Sequence, residues 1–195
     1  FTLVGGSANT AAAKISARAE AVFAAKGTVS AALSVNTDAK AIARARVDSA
    51  SLSMSYAQAV VNVIKAEANG SFVSMIGDGS ASVGSAEVKT TAVIEADAKT
   101  AQSNGSIAAY SASTNIANAQ ADSTVSAIAG GSGKLTVNGK LRMLSDSTST
   151  ANADIIRSVL DSSVVKLAYF DVDADVGTVQ SAGVDGKNVD AGSVD

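Results

Sequence analysis

From Gly27 onward the chain alternates apolar and polar residues with a period of two, the pattern of extended strands with one face buried and one wet. Val29, Ala31, Leu33 and Val35 alternate with Ser30, Ala32 and Ser34. Ala39, Ala41, Ala43, Ala45 and Val47 then alternate with Lys40, Ile42, Arg44, Arg46 and Asp48. At Asp48-Ser49 the parity slips, and Ala50, Leu52, Met54 and Tyr56 lie opposite Ser49, Ser51, Ser53 and Ser55, which predicts a turn or bulge that exchanges the faces. Alternation continues with interruptions to Val179, so many strands follow one another in series. The start reads two ways. Asn9 as N-cap, Ile15, Ala19, Val22 and Phe23 at helical spacing and Gly27 as a stop predict a short α-helix. Ala13, Ile15, Ala17, Ala19 and Ala21 also alternate with Lys14, Ser16, Arg18 and Glu20, which predicts two short strands instead.

A repeat overlies this pattern. Asn-Gly, the strongest short turn dipeptide, occurs at Asn69-Gly70, Asn104-Gly105 and Asn138-Gly139, spaced by 35 and 34 positions, each followed by x-apolar-x-x-apolar. Ser111-Ala-Ser-Thr114 with Ala117-Asn118-Ala119 recurs as Ser145-Asp-Ser-Thr148 with Ala151-Asn152-Ala153. Repeated strands and tight turns predict an all-β, parallel β-solenoid, each coil touching only its neighbours. With two coils per period the stack would be on the order of 50 Å long, and with one large coil about half that. The expected organisation is an N-terminal helix or cap over residues 1–26, a repetitive solenoid over 27–180 and an acidic segment over 181–195.

Composition narrows the chemistry. The 195 residues contain no Cys, His, Pro or Trp, and about a fifth of them are Ala. That leaves no imidazole base, no thiol, no disulfide and no ordinary zinc, copper or haem ligand set, so no cofactor is expected. Lack of Pro suits central strands, which need every N–H donor. A net charge of -3 with scattered aromatics argues against a nucleic-acid partner, and apolar runs of only a few residues argue against a membrane span. The chain begins at Phe1 without Met, as a processed chain or a piece of a longer one would.

Several segments invite specific chemistry. Gly130-Gly131-Ser132-Gly133-Lys134 resembles a phosphate loop, but Ile128 stands where its first Gly belongs and Leu135 where its hydroxyl belongs, so a turn between strands explains it better. Asp171, Asp173 and Asp175 put three carboxylates on one strand face, the arrangement a calcium site would need. Val176 and Ala182 occupy the Gly and Glu positions of an EF-hand-like loop, which favours a solvated acidic edge. Gly77-Asp78-Gly79 and Asp185-Gly186 resemble fragments of calcium-binding Gly-Asp repeats without the full nonapeptide. Arg18, Lys40, Arg44 and Arg46 form a basic stretch able to hold an anion or glycan, or to pair with Asp38 and Asp48. Asn69-Gly-Ser71 and Asn104-Gly-Ser106 match the glycosylation triplet, though both fall on the repeated turn. A polysaccharide-acting enzyme would require Asp171, Asp173 and Lys166 to converge in a groove. No Gly-x-Ser-x-Gly elbow occurs.

Phe1-Thr2-Leu3-Val4 resembles the start of a mature type IV pilin, but Gly5 replaces that family's Glu. Gly133-Lys-Leu-Thr-Val-Asn-Gly139-Lys-Leu and Ser145-Asp-Ser-Thr-Ser-Thr-Ala-Asn-Ala153 are similar to the repeats of very large bacterial surface adhesins of the leukotoxin-like and filamentous haemagglutinin types. The resemblance spans residues 27 to 180. It implies a secreted parallel β-solenoid stalk at the cell surface, partnered by neighbouring repeats or further copies and by surface glycans, and it nominates no catalytic residue. A structural filament or adhesin segment, not an enzyme, is therefore expected.

Overall fold

A computed structural model describes residues 2–24, 26–186 and 188–195, with the side chains of residues 2, 29, 49–52, 103–106 and 158–161 outside that description. The chain runs through β1 (Thr2–Phe23), β2 (Gly27–Ile76), β3 (Ala81–Gly130), β4 (Leu135–Asp185) and β5 (Val189–Val194). They form one sheet in sequence order, every neighbouring pair parallel. Parallel strands adjacent in sequence require the chain to travel a full circuit between them, which makes the molecule an all-β parallel β-solenoid.

Gly27, Ala81, Leu135 and Val189 share one column, so each circuit takes 54 residues. Elsewhere the step is 53, as from Thr2 to Ser55, or 55, as from Ala86 to Leu141. Register irregularities between Val29 and Ala32, Val83 and Ala86, and Val137 and Lys140 absorb the difference. The coil is therefore larger than the Asn-Gly spacing predicted. Four stacked strands at about 4.8 Å give a stack only ~20 Å high.

Each long strand folds back on itself into two arms. In β2, inward positions carry odd numbers before the bend (Val35, Thr37, Ala41, Ala43, Ala45) and even numbers after it (Val60, Asn62, Ile64, Ala66, Ala68, Phe72), so the expected exchange of faces takes place. Its details differ from expectation, because Ser55 is buried whereas Met54 and Tyr56 point outward. Between the arms, Ala41, Ala43 and Ala45 meet Ile64, Ala66, Ala68 and Phe72, and the same cluster continues through Ala92, Ile94, Ala96, Ala98, Ala119, Ala121 and Val125. A second cluster of larger residues, including Val83, Val88, Leu135, Val137 and Leu141, fills the interior toward the other end of the arms. A buried methyl contributes only about 0.8 kcal/mol. An Ala-lined interior thus depends on repetition along the stack rather than on any single large side chain.

The short N-terminal helix is not formed. Thr2–Phe23 is strand, paired with β2 from Ser55 to Ile76, and Ala11, Ala13, Ile15, Ala17 and Ala19 pack on the core cluster. Twenty-two residues of strand paired to β2 outweigh the intrinsic helical preference of Ala, which tertiary context readily overrides. The boundaries at residues 26 and 180 do not divide the stack either, since β1 and β5 belong to the same sheet.

The Asn-Gly dipeptides are a second correction. Asn69-Gly70 lies inside β2, Asn104-Gly105 inside β3 and Asn138-Gly139 inside β4, in three different columns. A type I′ turn needs positive φ at both central residues, and among the described residues the only non-Gly residue with positive φ is Asp78. Gly70 and Gly139 serve close approach instead. A Cβ on Gly70 would stand 2.2 Å from the buried Phe72 ring, and one on Gly139 would stand 2.8 Å from the Gly84 carbonyl oxygen. Among the described residues the corners between successive strands are residues 77–80 and 131–134. At one of them Gly131 has φ of 137° and a Cβ would meet the Asp78 nitrogen at 2.5 Å, so glycine is required there on both counts.

Candidate functional site

Two polar ladders run through the interior across the strands. Asn9, Asn62 and Asn115 share one column. Asn9 Nδ2 donates to Asn62 Oδ1 and Asn62 Nδ2 donates to Asn115 Oδ1, both at 2.9 Å. Asn62 and Asn115 are fully buried, and these amide bonds satisfy groups that would otherwise be costly to enclose. The column ends at Phe170, leaving Asn115 Nδ2 without a partner. A second column holds Thr37, Thr90 and Ser145. Their hydroxyls donate across the interior to the carbonyl oxygens of Val73, Ser126 and Val125, at 3.0, 2.6 and 2.8 Å. They clip one arm to the other.

On the outer face, opposite charges bridge each step between the four longer strands. Lys14 of β1 meets Glu67 of β2 at 2.8 Å, Arg44 of β2 meets Glu95 of β3 at 3.0 Å, and Arg142 of β4 meets Glu87 of β3 at 3.4 Å. Glu67 also pairs with Lys65. Hydrogen bonds from Lys14 and Lys65 pull the Glu67 carboxyl down to about 2. Of the basic stretch, Arg18 pairs with Glu20, Arg44 with Glu95 and Arg46 with Asp48.

The remaining candidates fall in separate places. Asp171, Asp173 and Asp175 lie outward on β4 opposite Ile116, Asn118 and Gln120, all three exposed, and alternate residues of a strand stand about 6.6 Å apart. They do not converge, and among the described residues no group of three or more acidic side chains could hold a metal ion. Lys166 is opposite Ser111, five to nine residues along the same strand, so it does not close a groove with the aspartates. Gly130 to Lys134 forms a corner packed on the preceding one, where Asp78 Oδ1 accepts hydrogen bonds from Ser132 N at 3.2 Å and Ser132 Oγ at 3.1 Å. That loop is filled by protein. The Asn104 side chain lies outside the described residues. Among the described residues no helix is long and apolar enough to cross a membrane.

Comparison with protein families, with curated proteins and with solved structures finds no match to this chain.

Two further features of the structure lie apart from these candidates. One is an open groove of about 500 Å³ that crosses all four longer strands, lined by Ser16, Asn69, Ser71, Asp122, Thr124 and Gly177. Its polar residues can exchange hydrogen bonds, and the Asn69 side-chain oxygen Oδ1 is buried without a partner. The other is the pair of unpaired sheet edges. Ala117 and Ala121 are fully buried in β3, whereas their column neighbours Val172 and Val176 in β4 are 51% and 46% exposed. The β4 row has no further strand beside it. The signals for this were present as 53- and 54-residue spacings: Asn9, Asn62 and Asn115, and the glycine corners at Gly77 and Gly131.

Proposed function

We propose that the chain is a structural segment of an extracellular bacterial filament or adhesin, working by stacking of β-strand coils rather than by catalysis. The observation that carries this is the uninterrupted parallel register through five strands. In such a stack each coil is stabilised chiefly by the coils beside it. Its placement at a bacterial surface rests on the likeness of Gly133 to Ala153 to adhesin repeats. Electron microscopy with fibre diffraction tests the proposal. Elongated particles with a meridional spacing of about 4.8 Å support it, and compact monomers at all concentrations overturn it.

The groove favours a second reading, a glycan-binding module. Its Ser, Asn, Asp and Thr side chains suit a neutral hydroxyl-rich chain lying along the stack. Glycan-array binding that is lost in Asn69→Ala with Asp122→Ala would support that reading. Undiminished binding in that variant would remove it.

A further inference from the structure

We propose that two copies of the chain pair side by side, bend against bend, through an uncharged apolar patch on the outer face of β2 and β3. This goes beyond the stacking function, because the patch lies on inner strands and faces away from the stack rather than along it. Along the arms the outer face carries Lys40, Arg44 and Arg46, while Ala41, Ala43 and Ala45 face inward. At the bend the polarity inverts. Met54, Tyr56, Ile107 and Tyr110 face outward, each between 50% and 60% exposed, whereas Ser55 and Gln102 are buried. Met54 and Ile107 share a column, and the Tyr56 and Tyr110 rings meet edge to face with centroids 5.6 Å apart, so the four side chains form one patch.

Folding alone does not account for this inversion. The Ser55 hydroxyl and the Gln102 amide nitrogen are buried without partners, which costs stability inside, while four large apolar side chains left in water gain none outside. Charge indicates what covers them. Residues 49–64 of β2 and 100–121 of β3 contain no Lys, Arg, Asp or Glu, so this surface offers nothing to a charged partner. A second copy presents the same uncharged surface, and no like charges meet when the two come together. Contact through the arms would instead take the Lys14, Arg44 and Arg142 ion pairs out of water. In β4 the corresponding stretch of sequence carries Arg157, Asp161 and Lys166, which bounds the patch to the inner strands. The area fits as well. Each of the four side chains leaves roughly 100 Å² in water, about 400 Å² together, a size that often marks an interaction site. Two such patches with the polar rim around them reach the ~1,000 Å² that a specific interface needs, at its weak end.

Sedimentation equilibrium of the whole chain tests the pairing, and a weak, concentration-dependent dimer is expected. Met54→Lys with Ile107→Lys moves the net charge from -3 toward zero, so the chain as a whole repels its copy less. It is nevertheless expected to weaken pairing at least about tenfold, because like charges then meet in the joint. Met54→Ser with Ile107→Ser adds no charge and is expected to weaken it about tenfold through lost apolar area. Val93→Glu, an outward change on the arm beside Lys40, should leave pairing unaltered. Circular dichroism checks that each variant keeps its strands. A monomer at every concentration overturns the proposal, as does a dimer that survives both bend variants. Flotation with phosphatidylcholine vesicles that depends on Met54 and Ile107, in the absence of a dimer, assigns the patch to a bilayer and likewise overturns it. Each of these failures leaves the stacking function standing, since axial assembly is read by its ~4.8 Å spacing and does not use the patch.

Discussion

The asparagine ladder offers the sharpest test of how the stack is held. Replacing Asn62 with Ala removes two amide hydrogen bonds, each worth about 1 kcal/mol net, and strands the buried Asn115 Oδ1, which costs about 1–3 kcal/mol more. The expected loss is about 3–5 kcal/mol, a large share of the ~5–15 kcal/mol that usually separates folded from unfolded chains. Asn9 is half-buried on the edge strand and makes one of these bonds, so Asn9→Ala should cost about 1–2 kcal/mol, water replacing the lost partner. A triple replacement of Asn9, Asn62 and Asn115 with Leu removes every amide in the column together. It should cost less than Asn62→Leu alone, because no buried polar atom is left behind.

Urea unfolding followed by circular dichroism reads these differences, with the slope checked for each variant because stacked coils can lose cooperativity. Amide exchange at β1, β2 and β3 then locates the weakened step. If the triple variant loses as much as the three single Leu variants summed, the ladder contributes no cooperative term and the reasoning fails.

Other outcomes follow from single contacts. Glu67 has its carboxyl held at about 2, below its ordinary 4.5, so the stability it contributes is present above about 4.5 and is lost as pH falls toward about 2. Glu67→Gln should flatten that part of the acid-unfolding profile, and an unchanged profile would show that the Lys14 and Lys65 pairing is not coupled to folding. Gly70→Ala forces the Phe72 ring to move and should destabilise by about 1–3 kcal/mol, whereas Gly183→Ala, with open space around its Cβ, should be neutral or gain about 0.4–1 kcal/mol. Equal melting temperatures for these two variants would contradict the packing. Phe170→Asn places an amide in the Asn115 column and should raise the protection of β3 amides against exchange, since Asn115 Nδ2 gains an acceptor. No gain in protection would show that this donor is already satisfied.

Much of the fold was legible because alternation is imposed directly by the pleat. Inward Ala41, Ala43 and Ala45 and outward Lys40, Arg44 and Arg46 follow from a period of two, whatever the coil length. Coil length was not legible from Asn-Gly, because a Gly inside a strand records close approach as readily as it records a turn. At Gly70 the neighbour is a Phe72 ring two residues on, and at Gly139 it is the backbone of the strand below. Neither is a corner. The start read two ways for a related reason: Ala in isolation favours helix, and only pairing with Ser55 to Ile76 decides for the strand. Of the candidate chemistry, the position of Asp171 to Asp175 on an edge strand was foreseeable as an acidic edge, but which strand it completes depends on the 53- to 55-residue steps.

Those steps also bear on the unusual composition. In a parallel in-register stack every side chain sits against its column neighbours about 4.8 Å away. Small inward residues such as Ala96, Ala98, Ala119 and Ala121 tolerate such neighbours and let two arms close on each other with almost no exposed surface. Their modest individual burial is offset by the backbone ladder, which every added strand extends at full length. The energetic unit is consequently the step between coils, and end strands hold only half of what inner strands hold. Apolar Val172 and Val176 on an outermost strand, about half exposed where Ala117 and Ala121 are sealed, measure that missing half directly. A sequence that stabilises its inner coils with small residues and charge rungs gains stability with every coil stacked in the same register.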